Sequence, residues 1–73
     1  MKNKIRIDTM QEVSKFIGIV SQLDGKITIT DNQGLCVNAK SVLGALHALE
    51  FTELWCESEN DIYTAIEDFI VIA

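Results

Sequence analysis

The sequence predicts an α+β fold. It has four short strands and three helices in the order β-α-β-β-α-β-α, in two layers with the helices on one face of the sheet. Three observations predict it. Apolar and polar residues alternate over short stretches, the period of a half-buried strand. Elsewhere apolar residues recur at i, i+3, i+4 and i+7, the stripe of an amphipathic helix. Each helical stretch also begins on a Thr, Ser or Asn/Asp cluster suited to capping. The chain has 73 residues, and residues 1–73 are read as a single domain.

Lys4-Ile5-Arg6-Ile7-Asp8 alternates strictly and reads as a strand with Ile5 and Ile7 inward. Thr9-Met10-Gln11-Glu12 fits a capping box, with Thr9 as N-cap and Glu12 returning the bond. A helix follows with Val13, Phe16, Ile17 and Val20 on one face, and Asp24-Gly25 turns the chain. Lys26–Thr30 is a second alternating strand rich in β-branched residues. Asp31-Asn32-Gln33-Gly34 reads as a hairpin turn into a short strand, Leu35–Val37. Ser41 to Leu49 reads as a short helix with Ser41 at its cap. Glu53–Glu57 is a fourth strand. Leu54 and Cys56 share one of its faces and Trp55 takes the other, and either face suits a core. Ser58-Glu59-Asn60-Asp61 supplies cap candidates for a last helix with Ile62, Ala65, Ile66, Phe69 and Ile70 on one side. Val71 and Ile72 widen that stripe if the helix runs to the last residue, Ala73. The outward residues Lys4, Arg6, Lys26, Thr28 and Thr30 are polar, which suits a solvated sheet face.

Charge narrows the function. Six basic residues against eleven acidic ones leave −5, whereas a nucleic-acid binder needs a basic face and so does an anionic membrane surface. The longest apolar run, Phe69 to Ala73, is far short of the ~20 residues that span a bilayer. No apolar signal region follows Met1-Lys2-Asn3-Lys4, so a cytoplasmic protein is expected. Cys36 and Cys56 form no C-x-x-C, and His47 is the one histidine. Zinc spacing is therefore missing, and neither a metal nor another cofactor is expected. The two thiols read as reduced and inert. Glu57, Glu59, Asp61, Glu67 and Asp68 read as a solvated acidic face without calcium-loop spacing.

Element order, length and the run Asn38-Ala39-Lys40-Ser41-Val42-Leu43-Gly44 together resemble the HPr family, the small phosphocarriers of the bacterial phosphoenolpyruvate-dependent sugar phosphotransferase system. The resemblance spans about Lys4 to Val71 and implies an open-faced β-sandwich, a four-stranded antiparallel sheet covered on one face by three helices. The family's carrier chemistry uses a histidine at the start of the first helix, followed two and three residues later by arginine and proline. Thr9, Gln11 and Glu12 stand at those positions. With no imidazole to phosphorylate, no guanidinium, and a carboxylate where the anion would rest, no catalytic residue and no enzymatic activity are expected.

The family's second site does match. In Gram-positive members a serine of the second helix is phosphorylated by an ATP-dependent kinase, and the phosphoprotein binds a transcriptional regulator. Ser41 matches that serine, and Lys40, Val42, Leu43 and Leu46 match its docking surroundings, with His47 beside them. The chain is similar in this to the Crh-type branch, which lacks the carrier histidine and keeps the serine. It is shorter than the family around Thr52 to Glu59. The function so implied is a regulatory binding protein whose partner is a kinase, a transcriptional regulator or a phosphotransferase component. It would involve no nucleic acid or membrane and would act as a monomer or weak homodimer. A constitutive or self-associating module without phosphorylation is the alternative, and a carrier working through His47 is a third.

Overall fold

The alternating stretches pair into one antiparallel sheet in the order β1-β4-β2-β3, where β1 is Lys2–Ile5, β2 is Ile27–Thr30, β3 is Cys36–Asn38 and β4 is Leu54–Ser58. Two α-helices, α1 (Met10–Val20) and α2 (Val42–Ala48), supply the second layer. The structure is a computed structural model and describes residues 1–72. Its architecture is that of a small α+β protein with an open four-stranded sheet.

Register settles which way each strand faces. Asn3, Cys56, Ile29 and Val37 lie in one row across the sheet, and Lys4, Trp55, Thr30 and Cys36 in the next. Because side chains alternate between faces, Cys56 and Ile29 point together at the helices and are fully buried. Leu54 shares that face, and Trp55 lies on the open one, with the Lys2 ammonium 5.5 Å from its ring centroid. β1 begins two residues earlier than the alternation at Lys4–Asp8 predicts, because Lys2 pairs with Glu57. Ile5 and Ile7 are nevertheless both buried. Thr30 departs from the solvated face expected for it. Its hydroxyl donates to the Leu35 carbonyl at 2.7 Å and accepts from the Asn32 N–H at 3.0 Å, which holds it buried inside the hairpin.

The core lies between the layers. Val13, Phe16 and Val20 of α1 and Ala45 and Ala48 of α2 cover Ile27, Ile29, Leu54 and Cys56. Phe69 closes one end, its ring edge-on to Phe16 at 5.2 Å and 87°, the geometry aromatic quadrupoles favour.

The third helix is corrected. Asp61 accepts from the Tyr63 N–H at 3.1 Å as a cap does, and the Ala65 and Ile66 N–H groups both reach the Ile62 carbonyl, but the turn does not propagate. A single 3₁₀ turn at Glu67–Phe69 follows. Ile62, Tyr63, Thr64, Ile66, Phe69 and Ile70 are β-branched or aromatic and lose rotamer freedom in a helix. Their backbone also has another partner. Ile70 lies opposite Ile5, the Arg6 N–H donates to the Phe69 carbonyl, and the Val71 N–H donates to the Lys4 carbonyl, both at 2.9 Å. Ile62, Ile66 and Phe69 are still buried without the helix, whereas Ile70 is half-buried and Ala65 is exposed. The expected extension to Ala73 lies, at that residue, outside the described residues.

Candidate functional site

The site that the sequence singles out begins in the turn before α2. Asn38 makes that turn. Its side-chain oxygen accepts from the Lys40 N–H at 2.9 Å, and its carbonyl accepts from the Ser41 N–H at 3.1 Å. Ser41 is extended and half-buried, and its hydroxyl oxygen accepts from the Gly44 N–H at 3.3 Å, an N-cap bond. Lys40 does not turn toward Ser41. Its ammonium donates to the Leu23 carbonyl, 2.6 Å away, beyond the end of α1.

α2 is seven residues long and buries only Ala45 and Ala48. A helix so short, laid on the sheet by two alanines, leaves the large residues of its first turn in solvent. Val42 is 59% exposed and Leu43 is 74% exposed. Leu46 is half-buried against the core and His47 is exposed. Leu43, Leu46, His47 and Glu50 line a depression of about 180 Å³ on the outer side of the helix. Three of the predicted docking residues, Leu43, Leu46 and His47, thus line one depression, Val42 is exposed on the same helix, and Lys40 is tied elsewhere.

Thr9 and its neighbours form a different kind of end. The Thr9 hydroxyl accepts from the Glu12 N–H at 3.1 Å, and the Glu12 carboxylate accepts in return from the Asp8 N–H at 3.1 Å and the Thr9 hydroxyl at 3.3 Å. The return bond goes to the residue before the cap, one position earlier than the capping box predicts. The Glu12 carboxylate occupies the positive end of α1, where an incoming anion would be repelled. Met10, beside it, is a large exposed side chain that the pattern reading passed over. It stands three residues before Val13 and seven before Ile17, at the edge of the Val13–Phe16–Ile17–Val20 stripe, so spacing alone does not mark it as exposed.

Elsewhere among the described residues four ion pairs lie at the surface. Lys2 meets Glu57 at 3.5 Å, Lys4 meets Glu53 at 3.7 Å, Arg6 meets Asp8 at 2.7 Å and Lys15 meets Asp68 at 3.8 Å. Among the described residues no three His, Cys, Asp or Glu side chains gather where they could hold a metal ion, and no helix is long and apolar enough to cross a membrane. No family model, curated protein or solved structure matches the chain. The protein is defined at the level of its class, a small α+β domain that presents a short apolar helix.

Proposed function

We propose that this chain is an HPr-like binding protein without phosphocarrier activity, docking a protein partner through the outer face of α2. One observation carries the reading: Val42 and Leu43 stand in solvent beside the Ser41 cap, while Ala45 and Ala48 hold α2 to the core. Apolar side chains held on a capped helix lose less entropy on binding than those on a loose segment, and covering them removes apolar surface from water. Thr9 and Glu12 support the loss of carrier chemistry. The hydroxyl is engaged in capping, and the carboxylate holds the place an anion would need.

In the regulated form of this reading, Ser41 takes a phosphoryl group. The added charge attracts an arginine or lysine of the partner, and Leu43 and Leu46 supply the apolar contact. Intact-mass measurement on protein from its own cells checks this, a phosphorylated fraction being about 80 Da heavier. Titration of a candidate regulator with wild type, phosphorylated protein and Leu43→Lys then separates the parts. Phosphorylation should tighten binding and Leu43→Lys should abolish it. Equal binding by all three sinks the reading.

A second, unregulated reading is favoured by one contact. The Lys40 ammonium is already bound to the Leu23 carbonyl, so a phosphate on Ser41 finds no ready cation on its own chain. Under that reading Leu43→Lys still abolishes docking and Ser41→Ala leaves it unchanged. Incubation with phosphoenolpyruvate and the first enzyme of the phosphotransferase system should leave no acid-labile phosphate on His47.

A further inference from the structure

We propose that the segment Ile70–Ile72 is an interaction edge, taking a second copy of this chain as an added antiparallel strand. The argument begins with backbone directions. The Arg6 N–H donates to the Phe69 carbonyl and the Val71 N–H donates to the Lys4 carbonyl, both at 2.9 Å, on either side of the Ile5–Ile70 pair. In an antiparallel ladder this pattern turns the polar groups of 69 and 71 toward β1 and those of 70 and 72 away from it. Ile70 is extended, at φ −70° and ψ 131°. Its N–H donates to the Glu67 carbonyl at 3.2 Å, whereas the Ile70 carbonyl and the Ile72 N–H have no partner among the described residues.

Those two groups complement themselves. A twofold axis at Val71 brings the Ile72 N–H of each copy to the Ile70 carbonyl of the other. Two hydrogen bonds then close around a Val71–Val71 pair, and the two sheets run on as one. Phe69–Ala73 has no charged side chain and no proline, two of the devices that normally keep a strand edge from pairing. Val71 is 40% exposed and Ile72 is 84% exposed.

The symmetry of the backbone groups, and not net charge, selects the occupant. The protein carries −5, so copies repel in most orientations. Centring the pair on Val71 carries Glu67 and Asp68 of each copy past the paired stretch instead of against each other. The opposite edge of the sheet is less open. The Asn38 carbonyl at the end of β3 is taken by the Ser41 N–H, and a Cβ on Gly44 of α2 would lie 2.8 Å from that carbonyl oxygen. The uncharged, β-forming strand that the Ile70–Ile72 edge calls for is the segment itself.

The inference is independent of the reading of α2. Sedimentation equilibrium from micromolar to millimolar concentration tests it on wild type, Ile72→Pro and Leu43→Lys. Proline removes the one donor that the pairing needs, and that N–H holds no bond among the described residues. Wild type should dimerise reversibly. Ile72→Pro should weaken the dimer on the order of tenfold or more, and Leu43→Lys should leave it unchanged. Amide exchange at Ile72 should slow in concentrated wild-type solution. A wild type that stays monomeric throughout overturns the proposal. So does a dimer that Ile72→Pro spares, or one that forms with no slowing at Ile72.

Discussion

At the residue scale, two glycines in helices face opposite surroundings. A Cβ on Gly44 would meet the Asn38 carbonyl oxygen at 2.8 Å, and backbone cannot move aside as a flexible side chain can. Gly44→Ala should therefore cost about 1–3 kcal/mol by forcing α2 off β3. A Cβ on Gly18, in the middle of α1, would meet nothing within 4 Å. Gly18→Ala should raise stability by about 0.5–1 kcal/mol, because alanine loses less entropy in a helix. Urea midpoints of the two variants should move in opposite directions from wild type. The thiols diverge in the same way. Cys36 is exposed on β3, while burial pushes the Cys56 thiol up from 9.0 to about 11. An aromatic disulfide reagent should titrate one thiol in folded protein and the second only on unfolding. As pH rises from 9.0 toward 11, the thiol ionises in the unfolded chain before it does in the folded one. The stability linked to Cys56 is thus fully present below that window and lost through it. Cys56→Ala should remove this part of the alkaline decline, read as ΔG of unfolding against pH.

At the element scale, what the sequence makes legible is what local chemistry decides. Thr9 and Ser41 cap the two helices, as their types and positions suggest. Ser41→Ala should cost about 1 kcal/mol, whereas Ser41→Asp, which keeps an acceptor at the cap, should cost far less. Thermal melting of both variants reads the difference. In the hairpin, Asn32 takes φ 62° and the Asp31 carboxylate accepts from the Gln33 and Leu35 N–H groups at 2.8 and 3.0 Å, a turn that Asp31-Asn32-Gln33-Gly34 announces. The last helix was not legible because its stripe is satisfied two ways. Ile62, Ile66 and Phe69 reach the core at helical spacing, yet the backbone from Phe69 onward bonds to β1. Periodicity records which side chains are buried. It does not record that an edge strand elsewhere offers the carbonyls and N–H groups a better partner. The outer face of α2 lies between these cases. The apolar types at Val42 and Leu43 are plain in the sequence, but their exposure depends on Ala45 and Ala48 meeting the core.

At the scale of the whole molecule, two layers leave one sheet face without a cover, so the core is one-sided. Alternation in Ile27-Thr28-Ile29 shows the buried face directly, whereas Leu54-Trp55-Cys56 is apolar on both faces and needs the register with β2 to be read. The same one-sidedness makes two aromatic residues unequal. Phe16 is fully buried among the helices, strands and Phe69. Phe16→Ala should cost about 3–5 kcal/mol, the sum of lost transfer energy and the cavity left behind. That is a large share of what a domain this size possesses. Trp55 is the larger side chain, but it rests on the open face between Lys4 and Thr30, with its indole N–H 3.4 Å from the Glu53 carboxylate. Its replacement by alanine forfeits cross-strand contacts and the Lys2 cation–π contact, together about 1–2 kcal/mol. It leaves no cavity, because water already reaches that surface. Equilibrium urea unfolding followed by circular dichroism should therefore rank Phe16→Ala well below Trp55→Ala in midpoint. Equal losses would mean that Trp55 is buried in solution, which requires something to cover the open face.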